Sequence, residues 1–238
     1  MNALESARQT LIDAGIVLEH RGHGDMTRGH VAVRVPGHPG HFLMKPHGVG
    51  FAEITHANIL TFDLDGAIVA GQGRPHSERF IQCEIFRARP DVQAVIHGHP
   101  PHAVAFSATG QTLRPLSQAA APFFNALPCY RDTIQLIRSP EAGRGLAATL
   151  GPHRAVLMRA HGVVVAGASL AEAVVLCVQL EEAAKIQLLA MAAGLDDWDF
   201  PTQDIEPLQR NVLRPDQFDV NFSFLVRQAR QALLRPAS

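Results

Sequence analysis

Apolar residues recur every three to four positions in several stretches of the chain, a spacing typical of helices that bury one face. The first stretch covers residues 2–18, and Gly15 is expected to end its helix. Ser77 and Ser169 begin two later stretches and are expected to cap their helices. These further segments with helical spacing are 77–89, 102–107, 142–150, 169–193 and 217–234.

Short apolar runs bounded by Pro, Gly and Asp predict strands between these helices. Residues 30–35 and 41–45 are typical of a hairpin, and so are residues 59–64 and 67–70. Residues 111–130 are interrupted by proline and are expected to be irregular. Three further strands are expected at 92–96, 155–158 and 163–165. A chain that mixes strands and helices in this way is expected to form a layered α/β domain.

Composition and charge narrow the class of protein. The 238 residues are 47% hydrophobic and 18% charged, which is typical of a globular protein with a sizeable core. The 21 basic and 22 acidic residues leave a net charge of −1, and the basic residues are scattered. This balance disfavours nucleic acid and anionic membrane surfaces as partners. No apolar run reaches the length of a membrane span.

Cysteine usage and the first residues of the chain indicate a compartment. Cys83, Cys129 and Cys177 are odd in number and widely spaced, so neither a disulfide framework nor a Cys-based metal site is expected. Residues 1–20 lack the pattern of a secretory signal. We therefore expect a cytoplasmic protein. Residues 1–238 are expected to form a single domain, with a C-terminal extension from about residue 198.

The 13 histidines of the chain are the strongest indication of a reactive or metal-binding site. His97 and His99 follow a buried strand, and residues two apart in an extended chain point to the same side. His161 follows a second buried strand and precedes Gly162. Three imidazoles leave an open coordination position, as in catalytic metal sites. The alternative is that these are ordinary loop histidines and that His161 only hydrogen-bonds the backbone of a turn.

Glu78 is the candidate acid or base. It lies about 20 residues before the His97-x-His99 pair, at the start of a predicted helix. A carboxylate beside an open metal site can transfer a proton or ligate the resting ion. The alternative is a carboxylate that only stabilises the helix N-terminus.

Three motifs carry a resemblance to a known family: Ser77-Glu78, Ala94-Val95-Ile96-His97-Gly98-His99-Pro100 and Arg159-Ala160-His161-Gly162. Together they resemble the class II aldolase/adducin family over about residues 4–193. The resemblance implies a single-domain, three-layer α/β/α sandwich with a mostly antiparallel central sheet. It implies a homo-oligomer, with a tetramer favoured.

The resemblance also implies one divalent metal ion per subunit, bound by His97, His99 and His161, with Glu78 as the catalytic acid/base. Zinc or manganese is expected, with iron and cobalt as further options. The adducin branch of the family is not enzymatic. This chain keeps all four residues, which favours an enzyme.

The chain departs from the sugar-phosphate aldolases of that family at two positions. Where those enzymes bind phosphate with small side chains, this chain has His30 and His47. We expect Arg28, His30, Lys45 and His47 to bind a carboxylate or an aromatic ring instead. The alternative is that some of these groups only line a solvated loop. The segments around them resemble a decarboxylase branch that acts on dihydroxyphthalate and hydroxypyridine-dicarboxylate.

These observations predict a metal-dependent lyase, a decarboxylase of a hydroxylated aromatic dicarboxylate similar to 3,4-dihydroxyphthalate. A metal bound to an adjacent oxygen would stabilise charge as the carbon–carbon bond breaks. One alternative is an aldolase or epimerase acting on a sugar phosphate or hydroxy acid. Another is a non-catalytic, adducin-like interaction module.

Overall fold

The chain folds around one sheet of eight strands, as a computed structural model shows for residues 2–195 and 202–234, the part of the chain that it describes. The strands are β1 (His30–Val35), β2 (His38–Met44), β3 (Leu60–Asp63), β4 (Ile68–Ala70), β5 (Ala94–Gly98), β6 (Cys129–Tyr130), β7 (Ala155–Met158) and β8 (Gly162–Gly167). Their order across the sheet is β4-β3-β2-β1-β5-β8-β7-β6. Every neighbouring pair is antiparallel except β6 and β7, so the predicted mostly antiparallel sheet is confirmed.

Helices cover both faces of the sheet. They are α1 (Ala3–His20), α2 (Phe80–Ala88), α3 (Pro101–Thr109), α4 (Pro140–Leu150), α5 (Leu170–Ala192), α6 (Ile205–Val212) and α7 (Pro215–Leu233). Three short 3₁₀ helices span Phe51–Glu53, Gln118–Phe123 and Thr202–Asp204. Helices α1, α3, α5 and α7 pack together on one face, and α2 packs with α4 on the other. None of the described helices combines the length and the apolar character that a membrane crossing requires.

Alternation along the central strands produces the two cores. In β5, Ala94 and Ile96 belong to the core under α5, whereas Val95 belongs to the core under α2 and α4. In β8, Val165 belongs to the core under α5, and Val164 belongs to the core under α2 and α4. Because both faces of these strands are buried, their sequences are continuously apolar rather than alternating. The predicted three-layer α/β/α architecture is confirmed.

Gly15 and Ser77 do not have the roles at helix ends that were expected of them. Gly15 does not end α1 but lies inside it, where a Cβ would stand 2.4 Å from the carbonyl oxygen of Phe51. The glycine therefore permits a close approach between the helix and the Phe51–Glu53 turn. Helix α2 begins at Phe80, so Ser77 and Glu78 precede it and Ser77 is not its N-cap. Glu78 consequently lies in a turn.

Of the other predictions about the elements, some are confirmed and some are only partly confirmed. Ser169 caps α5 as predicted, accepting a hydrogen bond from the N–H of Glu172. The segment 111–130 is mostly irregular, but it ends in strand β6, which pairs with β7. The predicted start of the C-terminal extension at about residue 198 lies outside the described residues.

Candidate metal centre

Strand β5 carries the first imidazole of the site. It lies in the middle of the sheet between β1 and β8, where His97 is fully buried. The Nδ1 of His97 lies 3.0 Å from the carbonyl oxygen of Val163, which can only accept a hydrogen bond. Nδ1 therefore carries the proton, and Nε2 presents a lone pair. Such a backbone contact is how proteins orient histidines that bind metals.

The turn between β7 and β8 carries another imidazole. Ala160 occupies the left-handed region with φ of 52°, an unfavourable conformation for alanine. Its N–H donates to the hydroxyl of Ser107 on α3, at 2.9 Å. This contact holds the turn, so that His161 follows directly beside the end of β5.

The structure brings the three predicted metal-binding histidines together. One ring nitrogen from each of His97, His99 and His161 lies within 4.8 Å of the others. The ring centroid of His97 lies 4.8 Å from that of His99 and 5.1 Å from that of His161. Gly162 permits this approach, because a Cβ there would stand 2.8 Å from the His99 ring.

The chemistry of this donor set fits a divalent cation. Burial lowers the pKa of His97 and of His99, and it lowers the pKa of His161 to about 4. The three rings are therefore neutral at physiological pH, the form that binds metal. The buried Nε2 of His97, Nδ1 of His99 and both ring nitrogens of His161 have no hydrogen-bond partner among the described residues. Buried polar atoms without partners are costly and are typical of sites that hold an ion or a ligand.

Glu78 lies at the edge of the histidine cluster. Its Oε1 is 3.6 Å from Nε2 of His161, and its Oε2 is 3.9 Å from Nε2 of His97. Burial raises the pKa of the Glu78 carboxyl, while a hydrogen bond from the N–H of Ile137, at 2.9 Å, and the charge of Arg138 act in the opposite direction. A carboxyl group with a raised pKa beside a metal site is suited to carry a proton.

His76 is a site residue that the sequence analysis missed. It forms a second cluster with His30 and Glu78, in which potential ligand atoms lie within 4.8 Å of one another. Its Nδ1 accepts a hydrogen bond from the N–H of Glu78, and its pKa is lowered to about 3, chiefly by burial. A hydrogen bond with the backbone of Arg28 opposes part of that shift. His76 thus links the turn of Glu78 to the loop of Arg28, and its position two residues before Glu78 was the available signal.

The four predicted substrate-binding residues occupy different places. Arg28 and His47 line a cavity in front of the histidine cluster. Arg28 is paired with Asp25 at 2.8 Å. His30 is fully buried behind His76, with ring centroids 4.3 Å apart, and its Nδ1 lies 2.6 Å from Nε2 of Gln82.

Lys45 does not line the cavity either. Its ammonium group is fully buried and donates to the carbonyl oxygens of Thr27, at 2.9 Å, and Val49, at 2.6 Å. Burial lowers its pKa to about 8, and the charge of Glu53 opposes the shift. Lys45 therefore supports the loop that carries Arg28 from behind, because the chain folds its side chain inward at the end of β2.

The cavity has a volume of about 720 Å³ and joins residues from distant parts of the chain. His99, His161 and Glu78 form its base. Its remaining walls combine polar and apolar side chains: Asp25, Arg28, His47, His76, Ser77, Pro101, Val104, Ile134, Leu136, Arg138 and Ala160. The size suits a small organic molecule.

The comparisons with known proteins agree with this geometry. A family model described as the class II aldolase and adducin N-terminal domain matches residues 9–188. The decarboxylase NovR of Streptomyces niveus is 40% identical over 172 residues, which cover 71% of this chain and 64% of NovR. The chain thus spans a little less than two thirds of NovR.

Two other relatives match over greater lengths. The 3,4-dihydroxyphthalate decarboxylase of Rhodococcus jostii (strain RHA1) is 30% identical over 227 residues, covering 87% of this chain and 91% of that enzyme. The crystal structure of an aldolase II superfamily protein from Pseudomonas syringae superposes with a TM-score of 0.87 at 28% identity, covering 98% of this chain and 95% of that one. Relatives named decarboxylases thus match most of this chain in sequence, and a solved protein of the aldolase II superfamily shares its fold.

Proposed function

Because the chain belongs to the class II aldolase and adducin family, we propose that it is a metal-dependent carbon–carbon lyase that decarboxylates a hydroxylated aromatic dicarboxylate similar to 3,4-dihydroxyphthalate. The observation that carries the proposal is the meeting of His97, His99 and His161 beside a buried Glu78 at the base of a cavity. The names of the decarboxylase relatives support the choice of reaction.

The three histidines would hold one divalent cation per subunit, with zinc or manganese favoured. Their neutral rings and unpartnered nitrogen atoms support this assignment. The chemistry that a bound cation supplies is Lewis-acid stabilisation of negative charge on a substrate oxygen. The Val163 carbonyl keeps Nε2 of His97 unprotonated and turned toward the cluster.

Glu78 would supply the proton that replaces carbon dioxide. In its protonated form it would donate to the ring carbon that bears the leaving carboxylate. The carbon–carbon bond then breaks, its electron pair returns to the ring, and carbon dioxide leaves. Glu78 regains a proton from water in the open cavity. Its burial, which raises the pKa of the carboxyl, supports this role.

The imidazoles at one side of the cavity support a carboxylate substrate over a sugar phosphate. His47 and His76 lie with ring centroids 5.9 Å apart, and His30 lies beyond His76. Bulky rings occupy this region, whereas phosphate is usually bound by small side chains and free backbone N–H groups. His47 and Arg28 would act as donors to the substrate, and His30 and Lys45 would support them from behind.

The decisive experiment measures carbon dioxide release by the purified, metal-loaded protein. A panel of 3,4-dihydroxyphthalate, hydroxypyridine-dicarboxylate and dihydroxyacetone phosphate with an aldehyde separates the candidate reactions. We expect carbon dioxide from an aromatic dicarboxylate. Aldol condensation without decarboxylation would replace the proposal with an aldolase, and the absence of both a stoichiometric metal and any turnover would favour a non-catalytic, adducin-like role.

A further inference from the structure

The segment 131–139, between β6 and α4, contacts both the acid and the cavity. Ile137 is fully buried in the core under α2 and α4, and its N–H binds Oε1 of Glu78 at 2.9 Å. Residues at alternate positions, Ile134, Leu136 and Arg138, line the cavity. The segment is therefore anchored by one side chain while its neighbours face the substrate space.

Arg138 is the arginine of the cavity wall that has no carboxylate partner among the described residues. Arg28, the other arginine of the wall, is paired with Asp25 at 2.8 Å. Across the part of the chain that the structure describes, no carboxylate forms an ion pair with Arg138, and no acceptor forms a hydrogen bond with it. Its charge reaches the cavity and acts on Glu78. A guanidinium in this state is suited to bind a planar carboxylate through two hydrogen bonds.

Apolar side chains adjoin this arginine. Ile134 and Leu136 are exposed by 69% and 42% and line the cavity, so their apolar surface is accessible to a bound molecule. Val104 of α3 lines the same cavity. Together they provide an apolar surface for the face of a ring in the same cavity that Arg138, His99 and His161 line.

We propose that Arg138 binds the carboxylate that the substrate retains, while Ile134 and Leu136 contact its ring. This inference rests on the proposed function and names the residue that selects a dicarboxylate over a monocarboxylate. The second carboxylate is thereby held at Arg138, so that the ortho-hydroxy carboxylate is presented to the histidine cluster.

The test compares two acids that differ by one carboxylate, 3,4-dihydroxyphthalate and 2,3-dihydroxybenzoate. For the metal-loaded wild type, we expect the KM for 2,3-dihydroxybenzoate to be about 10-fold to 100-fold higher than the KM for 3,4-dihydroxyphthalate. This is the factor that one charge-assisted hydrogen bond contributes to affinity. Arg138→Gln should raise the KM for 3,4-dihydroxyphthalate by a similar factor, change kcat less, and leave the KM for 2,3-dihydroxybenzoate nearly unchanged. Arg131→Gln, which removes an exposed arginine of the same segment outside the cavity, is the matched control.

A second arm separates this inference from the proposed reaction. Binding of phthalate and of benzoate, which need no turnover, is measured by calorimetry. Weaker phthalate binding in Arg138→Gln, with unchanged benzoate binding, supports the inference even if the wild type releases no carbon dioxide. Equal discrimination by the wild type and Arg138→Gln overturns it, and so does a wild type that binds neither acid.

Discussion

The hydroxyl of Ser107 accepts a hydrogen bond of 2.9 Å from the N–H of Ala160. Ser107 belongs to α3, which begins two residues after His99, whereas Ala160 immediately precedes His161. Ala160 has a left-handed backbone, which costs alanine about 1–2 kcal/mol. The contact therefore ties the two chain segments of the histidine cluster together and maintains the unfavourable turn.

Ser107→Ala is expected to reduce the free energy of unfolding by about 0.5–1.5 kcal/mol, because the N–H of Ala160 loses its acceptor in a part-buried hydrogen bond. Urea unfolding measures the change. Thr149→Ala is the control, since that hydroxyl only donates to the carbonyl of Gly145 within its own helix. Equal losses in the two variants would show that the turn does not depend on Ser107.

Gly162→Ala is expected to weaken metal binding severely. The added Cβ would stand 2.6 Å from the carbonyl oxygen of Gly98, 2.8 Å from the His99 ring and 3.0 Å from the His97 ring. At least one imidazole must move, and metal geometry tolerates little displacement. Elemental analysis after dialysis measures the bound metal. Gly40→Ala, where nothing lies within 4 Å of the added Cβ, should bind metal as the wild type does; full occupancy in Gly162→Ala would contradict the assigned ligands.

Removal of the metal is expected to lower the thermal midpoint. A cation that binds only the native state at 100 times its Kd adds about 2.7 kcal/mol to the free energy of unfolding. Calorimetry with and without a chelator checks this in the wild type and in His97→Asn. The variant should show no chelator-dependent shift, whereas His38→Gln, at an exposed position of β2, should behave as the wild type does. A wild type that is insensitive to chelation would favour the non-catalytic alternative.

Glu78→Gln is expected to reduce carbon dioxide release by about 10²–10⁴-fold, because the amide cannot donate the required proton to carbon. Metal content should persist, since the three histidines remain. Glu84→Gln is a matched control, because Glu84 is also buried but belongs to α2 outside the cavity wall. Near-normal turnover by Glu78→Gln would remove Glu78 from the mechanism.

The lowered pKa of Lys45 predicts that the free energy of unfolding depends on pH. Its pKa is about 8 in the folded chain and 10.5 ordinarily, so between these values the unfolded chain binds more protons. Stability contributed by this group is therefore fully present above pH 10.5 and is lost as the pH falls through 8. The free energy of unfolding of the wild type, relative to that of Lys45→Met, should therefore rise by at most about 3 kcal/mol between pH 7 and 10.5.

Urea unfolding of both proteins across this range measures that difference. Lys185→Met, which removes an exposed ammonium group, should show no such trend. A constant difference between the wild type and Lys45→Met would mean that the buried ammonium keeps its ordinary pKa.

The local sequence was sufficient for most of the elements and for the His97–His99 pair. His97 and His99 lie two residues apart at the end of a strand, so strand geometry predicted that their rings could converge, while the family resemblance implied that His161 joins them. The apolar runs of β5, β7 and β8 predicted buried strands because a strand covered on both faces must be apolar throughout. The strands and the His97–His99 pair depend on residues that are close together in the chain.

Tertiary structure alone decided which side chains face the cavity. Lys45 and His30 are turned inward, while His76 and Arg138 come from irregular segments without a periodic pattern. The N–H of Ile137 reaches Glu78 across 59 positions of the chain. Burial and orientation at such positions depend on packing between distant segments, and no local spacing of residue types encodes which of them will meet.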